Sequence, residues 1–208
     1  MSLASPPEHS HPSANPRSAA REARILADMQ RWLERAVIGL NLCPFAKAVH
    51  ARGQVHWVVS PAVSTPALEQ DLLRELDALA AADPAVRDTT LLVVPQGLDD
   101  FFEFNLFVAD AARLLKRRGL AGMLQIASFH PQFQFAHTAP QDPGNNTNRA
   151  PYPTLHLLRE ASIARAVQAF PEAETIYGNN IRTLERLGLD GWNALGVGGS
   201  APEAGEGP

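Results

Sequence analysis

One stretch concentrates the side chains that can do chemistry: Ser128 to Glu160, which reads SFHPQFQFAHTAPQDPGNNTNRAPYPTLHLLRE. His130 follows a run that reads as a strand and is fixed by Pro131. An imidazole held there titrates near neutral pH and is a candidate general acid or base. The alternative is a loop histidine that only hydrogen-bonds the backbone. Further along, Asn145, Asn146, Thr147, Asn148 and Arg149 precede Pro151 and Pro153. Amides, a hydroxyl and a guanidinium on a stiffened backbone suit an oxyanion, carboxylate or phosphate. Asn and Thr also satisfy turns, so Asn148 and Arg149 are read as ligand-binding candidates and at least half of the other polar residues as turn formers. His156 and Glu160, four apart at the start of an expected helix, would share one face. The carboxylate could then fix the imidazole tautomer, or the two could form a structural pair only.

The only thiol is Cys43. A cysteine with distant histidines and asparagines is the composition of a thiol nucleophile with its base, although a cysteine beside Leu42, Pro44 and Phe45 also reads as a small buried hydrophobe. A metal reading would join Cys43, His130, His137 and His156 as mixed sulfur and nitrogen ligands, but these lack the short ligand spacings of zinc sites. A haem thiolate would rest on the Cys43-Pro44 pair alone, and His9 with His11 supplies too few ligands. The chain has no glycine-rich phosphate loop, dinucleotide fingerprint or G-x-S-x-G elbow, so no cofactor is implied.

These groups need a scaffold, and 208 residues with 45% hydrophobic and 19% charged side chains suffice for one globular core. A net charge of -4 gives no general attraction to nucleic acid or to anionic membranes. No apolar run is long enough to span a bilayer, and the first residues lack the apolar core of a secretory signal. With one cysteine and no intramolecular disulfide available, a soluble protein of the reducing cytoplasm is expected. The compositions of 1–18 and 196–208 read as disordered tails around a single domain, 19–190.

Within that domain, apolar residues at spacings of three and four predict a helix over 18–37, on Ile25, Met29, Trp32, Leu33, Ala36 and Val37. Further helices are expected over 65–82 and 100–118, the latter with an acidic start and Gly119 after a basic last turn. Runs rich in β-branched and apolar residues predict strands over 54–60, 89–95 and 123–129. Two more helices are expected over 154–170 and 172–187, separated by Pro171. Strands alternating with helices of crossover length describe an α/β fold with a small, mainly parallel sheet of three strands, or four if one has escaped the pattern. Ligands of such sheets bind beyond the carboxyl ends of the strands, where the loop after the third strand lies. That loop is long, yet Phe129, Phe133, Phe135 and Tyr152 give it surface to bury, so an ordered functional loop is expected.

The motifs LNLCPFAK, FHPQFQFA and TNRAPYPTLHLLRE, in this order, closely resemble a bacterial family known as domain of unknown function 1415, over roughly Ala20 to Gly188. The family pattern carries over onto Cys43, Pro44, His130, Pro131, Asn148, Arg149, Tyr152, His156, Arg159 and Glu160. The resemblance thus adds Tyr152 and Arg159 to the binding candidates. A small residue often follows the Phe-Ala pair in that family, which leaves His137 outside the pattern. The resemblance implies a site without naming its chemistry.

Together these readings describe a small enzyme acting on an anionic or carbonyl-bearing molecule. His130 would be the acid or base, Cys43 the nucleophile, His156 and Glu160 a supporting pair, and Arg149 the anion clamp. A non-catalytic binding module for a small ligand or a protein partner, and a zinc or haem protein, are the alternatives. No seam along the helical faces decides an oligomeric state.

Overall fold

The computed structural model describes residues 16–169 and 175–200. The expected N-terminal tail up to residue 15, Pro171 and residues beyond Ser200 lie outside the described residues. The first periodic run forms α1, Pro16–Trp32, which buries Ile25, Met29 and Trp32. It continues as a π-helical turn, Leu33–Ile38, whose wider winding keeps Leu33, Ala36 and Val37 buried in succession. A short α2, Ala46–Ala51, follows Pro44 and leads to β1, Val55–Val59. Pro66 in the first turn starts α3, Thr65–Ala81, and β2, Thr89–Val93, is buried at every position. The Asp100 carboxylate accepts from the Phe102 and Glu103 N–H groups and caps α4, Phe101–Arg117. Strand β3 is Leu124–Phe129, and the long loop after it contains one 3₁₀ segment, Pro143–Asn148.

The principal correction concerns Thr154 to Phe170, expected as one helix. Its first part is a strand, β4, Thr154–Arg159, and helix α5 begins only at Glu160 and is described to Ala169. Strand β4 lies between β2 and β3 and pairs with both, so its backbone donors and acceptors are used on each side. Two-residue alternation therefore overrides the helical spacing: Leu155 and Leu157 face one side of the sheet, Thr154, His156 and Leu158 the other. The order is β1-β2-β4-β3, with β1 and β2 parallel and both pairings of β4 antiparallel. The sheet is mixed rather than mainly parallel. Helix α6, Ile176–Ala194, is broken by Gly188 at φ 67°, immediately after the Leu187 at which a helix end was expected.

Helices α3 and α4 cover one face, where Leu72, Leu76, Phe104 and Phe107 meet Leu92, Leu124, Leu155 and Leu157. On the opposite face α1 and the π-helical turn pack Met29, Trp32 and Val37 toward Trp57, Val93 and Phe129. Residues 196–200, expected to begin a tail, fold back here: Val197 is buried in this second cluster, and Ser200 hydrogen-bonds Asp28.

Candidate functional site

Much of the long loop's polar chemistry is turned inward to the protein, while Asn146 Nδ2 and Thr147 Oγ1 are buried without a hydrogen-bond partner among the described residues. His130 is fully buried between the Phe101 and Phe104 rings, with ring centroids 5.2 and 5.0 Å away. Its Nδ1 accepts from the Gln132 N–H at 3.0 Å, so the proton is on Nε2, which donates to the Leu98 carbonyl, also at 3.0 Å. Burial pushes this imidazole below its ordinary pKa, against smaller opposing effects of the Leu98 carbonyl, Asp99 and Asp100. Both nitrogens are engaged, and the ring faces α4.

Arg149 is similarly committed: Nε donates to Phe133 O at 3.0 Å, Nη2 to Pro140 O at 2.7 Å and Nη1 to Asn146 Oδ1 at 3.4 Å. It fastens the loop rather than presenting an open clamp. Asn148 reaches the Ser128 carbonyl at 3.4 Å. Tyr152 donates to Asp28 Oδ2 at 2.8 Å, and burial with the adjacent carboxylate pushes its phenol up to about 12. Arg159 is buried with Nη2 on the carbonyls of Leu79, Ala82 and Arg87, at 2.5, 2.6 and 3.2 Å, so it caps the end of α3. Glu160 stands at the first position of α5 while His156 is in the middle of β4, so the two are not a helical i to i+4 pair.

Chemistry converges elsewhere, on the sheet face away from α3 and α4. A cavity of about 280 Å³ lies between that face and a cover made by the π-helical turn, α2 and α5. Trp32, Leu33, Phe45, Leu91, Phe129 and Ile163 give it a mainly apolar wall, and both Cys43 and His156 line it. The His156 Nε2 is 2.7 Å from Thr89 Oγ1, and Thr89 Oγ1 is itself 2.7 Å from the Leu157 carbonyl. A carbonyl can only accept, so the Thr89 proton is directed to Leu157 and the hydroxyl oxygen accepts from His156 Nε2–H. The His156 Nδ1 is thereby left as a bare acceptor, with no protein partner among the described residues. Burial pushes this imidazole down to about 4, so the ring is neutral at physiological pH.

Cys43 shares the cavity, but no hydrogen bond joins its thiol to His156 among the described residues. Burial raises its pKa, opposed by the backbone N–H groups of Phe45 and Ala46. The group is held as a thiol, not as the thiolate a nucleophile requires. Among the described residues, no three of His, Cys, Asp and Glu stand together in a set that could hold a metal ion. Two polar lining residues are joined, Ser162 donating to Asp88 Oδ1 at 2.5 Å and accepting from Arg165 Nη2 at 2.9 Å.

The model of one protein family, described as a protein of unknown function (DUF1415), matches residues 24–194. The chain belongs to the DUF1415 family. No curated protein and no solved structure matches it. In this DUF1415 chain the structure brings together Cys43, His156 and Arg159 as cavity-lining residues, the last with its guanidinium turned to α3. His130, Asn148, Arg149, Tyr152 and Glu160 are not among the lining residues. Sequence reasoning missed Thr89, Asp88 and Ser162. Thr89 opens a strand and reads as an ordinary β-branched residue, so only its pairing opposite Leu158, next to His156, shows its role. No helix among the described residues is long and apolar enough to cross a membrane.

Proposed function

We propose that this protein binds a small, largely apolar molecule in the cavity between the sheet and the π-helical turn, α2 and α5, with His156 as its polar anchor. One observation carries the reading: a neutral imidazole, locked through Nε2, holds its Nδ1 without a protein partner beside an apolar space. An acceptor without a protein partner on a residue that lines a mainly apolar space is the group by which a ligand entering that space would be oriented. The proposal keeps a Cys/His-centred site and puts His156 in place of His130. Binding is favoured over catalysis because burial disfavours both the imidazolium and the thiolate. A neutral molecule is favoured over an anion because Arg149 lies outside the cavity and the charge of Arg159 is offset by Asp88, which also lines it. A lone thiol beside the cavity fits a protein working in the reducing cytoplasm.

The test is binding of naphthalene, a neutral two-ring fluorescent probe, to the wild type and to Ala166→Phe, which fills the cavity from α5. Enhanced probe fluorescence in the wild type and at least tenfold weaker binding in the variant, with unchanged thermal unfolding, is expected. Equal binding to both proteins, or none to the wild type, would remove the proposal.

A further inference from the structure

The fixed tautomer of His156 restricts what can enter. We infer that the cavity selects a neutral ligand of one or two rings bearing a hydroxyl or N–H group, which it donates to His156 Nδ1. This rests on the cavity being a binding site and goes further by naming the ligand's chemistry.

The restriction begins two bonds away from the ligand. The Thr89 hydroxyl proton is committed to the Leu157 carbonyl, and that carbonyl belongs to a strand flanked on both sides. The hydroxyl therefore cannot reverse its direction without two acceptors facing one another at 2.7 Å. Thr89 is a positioning residue: it keeps the proton on Nε2 and the lone pair on Nδ1. A ligand ketone, ether or carboxylate would set lone pair against lone pair, whereas a phenol, alcohol, indole or lactam N–H completes the chain.

Charge and shape agree. Among the described residues that line the cavity, Arg159 is the only cation, and its Nη2 is on the carbonyls of Leu79, Ala82 and Arg87. Asp88 also lines the cavity and offsets the Arg159 charge, so the walls carry no net attraction for an anion. Trp32 and Phe129 meet edge to face at 5.0 Å, and Phe129 is 6.1 Å from the His156 ring, which gives an aromatic wall beside the acceptor. A dry apolar cavity of about 150 Å³ accepts benzene. About 280 Å³ therefore admits one or two rings.

The experiment compares three probes of nearly equal size, 2-naphthol, 2-methoxynaphthalene and 2-naphthoate, by quenching of tryptophan fluorescence at neutral pH. One hydrogen bond to this acceptor predicts 2-naphthol binding about tenfold tighter than its methyl ether, with 2-naphthoate weakest. In Thr89→Val the tautomer is released and the preference for the alcohol over the ether should fall to about twofold. The imidazole nitrogen-15 spectrum of the wild type gives a second reading, with His156 protonated on Nε2 and bare on Nδ1. Equal binding of alcohol and ether, tightest binding of the carboxylate, or a proton on Nδ1 would each overturn the ligand class. The cavity itself would still stand if naphthalene binds. Failure of that probe as well would instead remove the binding reading on which the class depends.

Discussion

At the scale of single residues, burial separates the histidines by what their second nitrogen does. His130 has both nitrogens satisfied and closes a turn, whereas His156 has one satisfied and one open. The enclosure of His156 has a thermodynamic consequence. Its folded pKa, about 4, lies below the 6.5 of a free imidazole. At pH values between the two, the unfolded chain therefore binds a proton that the folded chain refuses. The stability this group contributes is complete above about pH 6.5 and is lost as pH falls toward 4, worth about 3 kcal/mol at about 1.4 kcal/mol per unit. His156→Phe should flatten the pH dependence of urea unfolding between those limits while changing stability at pH 8 much less. Parallel wild-type and variant curves would show that His156 does not carry the effect. Arg159 makes a simpler claim, because its guanidinium satisfies the last carbonyls of α3 from inside the core. Arg159→Met leaves those carbonyls buried and should cost about 2 to 4 kcal/mol in the same assay.

At the scale of elements, what was legible follows from what local spacing can encode. Helices α1, α3 and α4 and strands β1, β2 and β3 were readable because their apolar periodicity is unambiguous, and Asp100 and Gly119 marked the ends of α4. Strand β4 was not readable for a physical reason. Pro153 and Thr154 look like a helix start, and His156, Glu160, Ile163 and Val167 make a helical stripe, while Leu155 and Leu157 make an equally good strand face. The choice between them is settled by the open slots on β2 and β3, which lie far off in sequence. The π-helical turn was also silent in the sequence, yet it places Leu33 and Val37 together on the cavity wall. The turn closes at Gly39, where a Cβ would overlap the Arg35 carbonyl oxygen. Gly39→Ala should force the turn to rewind, costing about 1 to 3 kcal/mol in unfolding free energy. It should also weaken binding of naphthalene, since Leu33 and Val37 would shift out of register. Unaltered probe affinity in a destabilised variant would separate the turn from the cavity.

Across the whole molecule, the polar loop that drew attention in the sequence turns out to support the cavity without lining it. Asn145, Arg149 and Thr138 close the loop on itself, and its carbonyl at Arg149 accepts from Trp32 Nε1 at 2.8 Å. Tyr152 then extends from the loop to Asp28 of α1, and Ser200 reaches the same carboxylate through its N–H at 2.8 Å and its hydroxyl at 2.9 Å. Arg31 supplies a further bond at 2.9 Å. Burial alone would raise the pKa of Asp28, but the bonds from Ser200, Tyr152 and Arg31 hold it below the ordinary carboxylate value. One buried carboxylate thus joins the first helix, the central loop and the segment after α6, and it fixes the helix that carries Trp32 over the cavity. Removing one partner leaves the others desolvated and unpaired, so the effects of removing two should not add. Asp28→Asn and Tyr152→Phe are each expected to lower the unfolding free energy by about 1 to 3 kcal/mol. The double variant should cost less than the two singles together by about 1 kcal/mol. Strict additivity in that cycle would mean that Tyr152 and Asp28 stabilise the fold independently, and that the loop does not hold α1 in place through this carboxylate.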